Sequence, residues 1–546
     1  MGTRLFFMII VLCAIPYNSH GHAAYYVDNV QGDDASSGSE SAPWRSLSYA
    51  AKQLVAGNHL IIVSHGPMHP YREQLYLHGL GDVLDAIEIG GESGSSDPVL
   101  VGVDDWTDLN AGGRQHWAVT GKHWVLSDTT KPSGLWLSHV KQWKKNGVFS
   151  LIERDQVEGE SELSSGQWHY DETKSQIKYR PMEGETLSNS HIEGLVRKQA
   201  VGIVTVRNLK LKNITTMFTE NNAISIVDDS RNISVSEVTV RYAGNNGISV
   251  ARGGSDITIE SCNISDVMNN GIIINGGGDH PVKNTIIKGC SIQYAATNDG
   301  ITLHDDQDGN SIGDNHLIEG NTISNCREQG IDIVSGRQIV ARNNLTFDNH
   351  DSAISIGHGV NNVHIEGHVS MNDGHVGGLV VGTATAVVVR NSLFANGKYH
   401  QIVIRDASDV VFDRNTVIQG ESGRGAVIDI QEKSKQVFFK KNIIISQVRG
   451  KEVRLLRFLK GWDVDETGVV FDDNIWWVED ATGKEFFVKR TGAFELDDFK
   501  QTFGLKGNGL FIDSGVRFLE NKNKLFHAME DYSGYGCDCQ SLPVLQ

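Results

Sequence analysis

Gly300-Ile301-Thr302-Leu303-His304-Asp305 and, 30 residues on, Gly330-Ile331-Asp332-Ile333 open on one pattern: small, apolar, any, apolar. The pattern occurs upstream as Ala223-Ile224-Ser225-Ile226, Gly247-Ile248-Ser249-Val250 and Gly271-Ile272-Ile273-Ile274, and downstream as Ala353-Ile354-Ser355-Ile356 and Gly378-Leu379-Val380-Val381. Successive copies start 24, 24, 29, 30, 23 and 25 residues apart. About half a period later comes a second alternating run, such as Ile257-Thr258-Ile259, Ile339-Val340-Ala341 or Val410-Val411-Phe412. Alternation with period two sends successive side chains to opposite faces, which is a strand signal. A unit of about 20–50 residues cannot bury its apolar face alone and does so by stacking on its copies. The fold class is therefore all-β, a parallel β-helix. Asn321, Asn343, Asn391, Asn415 and Asn442 recur at one corner after the second run, where asparagine tolerates the left-handed conformation and can bond its stacked neighbours. On that reading the Asn-x-Ser/Thr triplets at Asn232, Asn263 and Asn344 are corner residues rather than glycan sites.

Outward from the repeats the chain divides into five stretches. Residues 1–23 read as a secretory signal: Arg4 precedes an apolar run from Leu5 to Ile15, and small residues at Gly21 and Ala23 suit cleavage. Residues 24–95 read as an N-terminal cap and first coils, with a short amphipathic helix around Ala50, Ala51 and Leu54. Residues 96–200 contain Trp106, Trp117, Trp124, Trp136 and Trp143 and read as an inserted β subdomain. Residues 201–450 are the regular coils, and 451–546 the last coils and C-terminal cap. No later run is long and apolar enough for a membrane helix. A net charge of −18 does not suit a general nucleic-acid binder. Cys262, Cys290, Cys326, Cys537 and Cys539 are too few for a disulfide scaffold, and Cys262 and Cys290 fall at equivalent repeat positions, as stacked buried thiols would. The expected product is an exported, soluble monomer, secreted or periplasmic.

The middle residue of each pattern points outward. Ser225, Ser249, Ile273, Thr302, Asp332, Ser355 and Val380 then form one outward column, and Asn275, His304 and Val334 lie in the next. His304 and Asp332 should sit on one exposed face, beside Asp305, Asp306 and Asp308 in a loop ending at Asn310. Arg327 and Arg337 flank the following coil, Arg252 lies two coils up, and His350 and His358 lie on later coils. This is the densest titratable group in the repeats, where the period swells and the loops lengthen. Asp305, Asp306, Asp308 and Asn310 offer hard oxygen ligands that suit Ca²⁺, the one cofactor expected.

Tyr25–Leu47 and Gly57–Glu73 resemble the opening of the secreted right-handed parallel β-helix proteins that act on polysaccharides. Trp168-His169-Tyr170-Asp171, Tyr179-Arg180-Pro181 and Ile192-Glu193 resemble a β insert found in many of them. Gly300–Asp305 is similar to a coil of the periplasmic mannuronan epimerases through His304 and Asp305, with Thr302 and Leu303 departing from it. The resemblance implies a polysaccharide partner and an enzyme, and the scaffold serves several chemistries. First comes β-elimination of a uronate glycan: His304 transfers the proton, Asp332 orients it, and Arg337 neutralises the substrate carboxylate, with Arg252, Asn275, Arg327, His350 and His358 binding substrate. Glycoside hydrolysis would instead pair Asp305 or Asp306 with Asp332. C5-epimerisation and non-catalytic glycan binding are the remaining alternatives.

Overall fold

The computed structural model describes residues 23–81, 85–92, 94–105, 117–120, 122–126, 134–139, 152–157, 163–187, 190–276, 279–305, 313–431, 433–449, 454–459, 468–479, 484–488, 492–503, 510–512 and 537. The signal segment, Asp306, Asp308 and Asn310 lie outside them. Three long sheets of 14, 14 and 13 strands wrap one core. Sheet 1 carries the small-apolar-any-apolar strands, from Leu75–His78 to Phe486–Val488, and ends on an antiparallel partner, Gly492–Phe494. Sheet 2 carries the second run, from Ala24–Val27 to Val470–Asp472. Sheet 3 runs from Val99–Val101 to Leu510–Ile512. Each strand pairs in parallel with its equivalent one coil away. The outward column holds its register without a slip: Ser225, Ser249, Ile273, Thr302, Asp332, Ser355 and Val380 are successive partners. Ile224, Ile226, Ile301, Leu303, Ile331 and Ile333 point the other way and are fully buried.

Sheet 3 has no counterpart in the two-run sequence reading. Its strands are three to five residues long, as in Thr215–Thr219, Thr322–Ser324 and Leu393–Ala395. Its inward column passes through Thr216, Val240, Ile264, Ile292, Ile323, Thr346 and Ser370, all buried. Hydroxyls at inward positions erase the apolar alternation that marks a strand.

The corner between sheets 2 and 3 also differs from expectation. The asparagines occupy two columns, not one. Asn343 and Asn391 belong to a left-handed column that includes Asn213, Glu237, Ser261, Gly289, Gly320, Arg414 and Lys441, with φ between 49 and 63° throughout. One residue later an inward column runs Cys262, Cys290, Asn321, Asn344, His368, Ser392, Asn415, Asn442, Asn474, all buried. Here the Asn415 and Asn442 side chains each donate to the next carboxamide oxygen, at 3.0 and 2.9 Å. Each oxygen also accepts the preceding backbone N–H, as when Asn442 N donates to Asn474 Oδ1 at 2.9 Å. The buried thiols of Cys262 and Cys290 head this ladder, and they and Cys326 form no disulfide.

Two helices stand among the described residues, Leu47–Gln53 and Leu496–Phe503. The first is capped by the Ser46 hydroxyl, which accepts from Tyr49 N, and buries Leu47, Ala50 and Ala51. Strands between Val103 and Leu195 form a separate eight-stranded sheet, whose small core is Leu126, Trp168, Ile177, Tyr179 and Ile192. The side chains of Trp106, Trp117, Trp124, Trp136 and Trp143 lie outside the described residues.

Asn442→Ala leaves a buried N–H and carboxamide of Asn415 without their acceptor and should lower stability by about 2–4 kcal/mol in chemical denaturation, since each unsatisfied buried group costs about 1–3 kcal/mol. Asn343→Gly, in the left-handed column, should change it by less than about 1 kcal/mol.

Candidate functional site

Acidic residues interrupt two asparagine columns at the corner between sheets 3 and 1. The inner column reads Asn222, Asn246, Asn270, then Asp299. Asn246 Nδ2 donates to Asn222 Oδ1 and Asn270 Nδ2 to Asn246 Oδ1, each at 2.9 Å. Asp299 ends the run: its Oδ1 accepts Gln329 N at 2.9 Å and its Oδ2 accepts Thr302 Oγ1 at 2.9 Å. Thr302 is the register partner of Asp332. The outer column reads Asn221, Asn245, Asn269, Asn298, then Glu328 and Asp351, with Asp351 N bonded to Glu328 O at 3.0 Å. Asp351 Oδ2 accepts Gln329 Nε2 at 2.9 Å.

Asp299, Glu328, Asp332 and Asp351 thus gather on three adjacent coils, and their fields reach one another. Burial, more than any other cause, lifts the Asp332 carboxyl to about 8; the Asp299 charge adds to it, the Ser355 hydrogen bond opposes it, and Glu328 and Asp351 add further repulsion. Burial likewise lifts Asp299 to about 6, against its bonds from Gln329 and Thr302. Asp299 is fully buried, whereas Asp332 stays partly exposed at the sheet surface. The arrangement holds a proton near neutral pH on a carboxyl that a ligand can touch.

The expected site residues separate. His304 lies half-buried on the same face, next to Asn275 above it and two residues along from the Thr302–Asp332 pair. Asp305 is buried at the end of that strand. Arg337 does not join them. It begins a strand of sheet 2 and is held by Asp314, Nε to Oδ1 at 3.0 Å and Nη2 to Oδ2 at 3.1 Å. The reason is topological: the turn at Ser335-Gly336 carries the chain around a corner before Arg337. Arg252 is engaged in the same way by Asp228, at 2.5 and 3.0 Å. His358 stands on a turn in the left-handed conformation, its N bonded to Thr383 Oγ1. Arg327 and His350 meet each other, Nη1 to Nδ1 at 2.7 Å, on the sheet 3 side. Of the expected calcium loop only Asp305 is described, and among the described residues no three His, Cys, Asp or Glu side chains are grouped to hold a metal ion. Sequence reasoning missed Asp299, Glu328 and Asp351. The usable signal was the departure from asparagine in two corner columns.

The right handed beta helix region family model matches residues 199–370 and 313–455. The fold of the chain is a right-handed parallel β-helix. XylC, solved in complex with xylose, is 13% identical over 90% of this chain and 86% of that one, with a TM-score of 0.56. The GH136 lacto-N-biosidase from Eubacterium ramulus is 13% identical over 83% of this chain and 68% of that one, with a TM-score of 0.50. At such identities the likeness is one of fold. No curated protein sequence matches the chain. No helix among the described residues is long and apolar enough to cross a membrane.

The raised carboxyl of Asp332 makes the native β-helix bind more protons than the unfolded chain between pH 3.8 and about 8, so its contribution to stability falls as pH rises through that window. Asp299, and the core carboxyl of Asp373 that burial lifts to about 6, act over the lower part of it. Asp332→Asn should therefore match the wild type at pH 4 and exceed it in thermal midpoint at pH 8. Equal midpoints at both values would remove the premise of a proton held on Asp332.

Proposed function

We propose that this β-helix protein is an exported glycoside hydrolase acting on a polysaccharide, with Asp332 as the general acid. The observation that carries the reading is the grouping of Asp332, whose carboxyl burial lifts to about 8, with the partly exposed Asp351 on the next coil. Glycosidic cleavage needs one carboxyl that keeps its proton and one carboxylate that activates water or attacks the sugar. Asp332 protonates the leaving oxygen. Asp351, held by Gln329 and partly exposed, is the second carboxylate. Asp299, buried beneath, touches no substrate; its charge adds to the burial that keeps the proton on Asp332, which makes it a positioning residue. The lacto-N-biosidase neighbour is a glycoside hydrolase by its description, which agrees with this reading without carrying it.

β-elimination remains the second reading because His304 shares the face with Asp332. Its weakness is Arg337, which lies on another sheet with Asp314 as its partner. The two readings part on one experiment. Wild type and variants are incubated with a panel of neutral and uronate glycans, following reducing ends and the ultraviolet absorbance of an unsaturated uronate product. Hydrolysis predicts reducing ends without that absorbance. Asp332→Asn should lower kcat/KM by roughly 10²–10⁴-fold, the usual range for a lost general acid. The wild-type profile should fall above about pH 8, as Asp332 loses its proton. His304→Ala should keep most turnover. Loss of turnover in His304→Ala, with unsaturated product from the wild type, would establish elimination instead. Dialysis against EDTA checks the Asp305–Asn310 calcium expectation: the hydrolytic reading gives calcium no role in the chemistry and expects unchanged turnover.

A further inference from the structure

At or near the end of eight successive sheet 3 strands, from Thr215–Thr219 to Leu393–Ala395, the chain takes one residue in the left-handed conformation. In register these are Phe218, Tyr242, Asp266, Tyr294, Asn325, Asp348, Asn372 and Asn396, with φ between 54 and 63°. Five are Asn or Asp, the side chains that tolerate this conformation, and three are aromatic, which do so at a cost. Burial offsets that cost at Phe218. It does not at Tyr294, which is 51% exposed. Tyr242 is engaged within the protein: its ring lies flat against Phe218, ring centres 5.0 Å apart and planes 4° from parallel, and the Arg241 guanidinium sits over it at 5.5 Å. Tyr242 and Tyr294 are two coils apart, about 10 Å along the helix axis at the usual strand spacing.

Both tyrosines line a groove of about 660 Å³ together with Leu195, Met268, Arg327 and His350. Two acids line it as well, each engaged elsewhere: Asp266 faces Arg241 at 3.9 Å, and Asp348 Oδ1 accepts Asn372 Nδ2 at 3.3 Å. That volume lies in the usual range for ligand sites, about 300–1,000 Å³. Arg252, Arg337, Arg342 and Arg390 each pair with an acid one coil earlier: Asp228, Asp314, Glu319 and Glu366. Arg327 has a neutral partner instead. Its Nη1 donates to His350 Nδ1, which leaves the His350 proton on Nε2. Partial burial, then Arg327 and His375, push the His350 pKa down, so the imidazole adds no compensating or competing charge at neutral pH. Among the described residues Arg327 makes no ion pair.

We propose that this groove is a glycan-binding site in which the exposed ring of Tyr294 stacks on a sugar and Arg327 receives the carboxylate of a uronic acid. Ring faces take the apolar C–H face of a pyranose, and a guanidinium fork fits a carboxylate bidentately. His350 Nε2 then offers a proton to a sugar hydroxyl. The site is on sheet 3, not on the sheet 1 face that carries Asp332, and it stands whether or not Asp332 cleaves glycosidic bonds.

The test is calorimetric titration of the full-length protein with tetragalacturonate, tetramannuronate and the neutral xylotetraose. At least one acidic tetramer should bind more tightly than xylotetraose, with an affinity that falls as salt rises. Tyr294→Ala should weaken it by about tenfold, the scale of a lost aromatic contact. Arg327→Gln should abolish the preference for the acidic tetramer, and Arg327→Lys should restore part of it. Both side chains are exposed, so thermal midpoints should stay at the wild-type value and confirm that the variants fold. The proposal is overturned if no tetramer binds, if acidic and neutral tetramers bind alike, or if Tyr294→Ala and Arg327→Gln leave affinity intact. A protein that binds an acidic tetramer here while Asp332→Asn keeps full turnover would sink the hydrolytic reading and leave the groove standing.

Discussion

Each coil of this molecule is held at one register to the next, and everything else depends on that. A slip of a single residue would send every inward isoleucine of a strand to the solvent face. Backbone ladders alone do not exclude such a slip. The buried asparagine column does, because Asn415, Asn442 and Asn474 can join carboxamide to carboxamide only when their coils align. The left-handed residue just before each of them turns the chain sharply enough to aim the side chain inward. Corner and core therefore fix the same register independently, a consistency expected of a sequence with one folded answer.

A fixed register turns the outer surface into columns, and a column behaves differently from an isolated side chain. Repeating one neutral carboxamide is favourable, as Asn222, Asn246 and Asn270 show, since each donates to the last. Repeating a carboxylate is not, because stacked charges repel at short range. Asp299, Glu328, Asp332 and Asp351 break the neutral pattern within three coils, and burial together with that repulsion raises the carboxyls of Asp299 and Asp332. That separates them from the arginines of sheet 2, where Arg337, Arg342 and Arg390 each face an acid on the preceding coil and neutralise it.

Two of the three sheets were legible in the sequence, as was the outward column with Asp332 in it, because isoleucine and valine alternate cleanly there. Sheet 3 was not, since Thr216, Thr346 and Ser370 fill inward places with hydroxyls. Arg337 was misplaced for a related reason. Linear proximity to Asp332 suggested a shared site, but a β-helix turns a corner within a few residues, and neighbours along the chain end on different faces. Neighbours in space lie one period away, so Asp299, some thirty residues before Asp332, is the closer companion. Only an alignment of the corners, not of the strands alone, brings it out. The loop of Asp306, Asp308 and Asn310 lies outside the described residues, and the calcium expectation resting on it stays where the sequence left it.

The same geometry explains how one scaffold can hold chemistry and binding apart. Sheets 1 and 3 meet at the corner where Arg327, Glu328 and Gln329 are consecutive. Arg327 turns toward the tyrosine groove and His350, Glu328 stacks with Asp351, and the Gln329 side chain grips Asp351 while its N–H holds Asp299. A positive group and a cluster of protonatable acids thus stand within three residues without neutralising one another. Had Arg327 faced the acids, it would have lowered their pKa values and taken the proton from Asp332. The corner keeps both properties because the backbone turns between them.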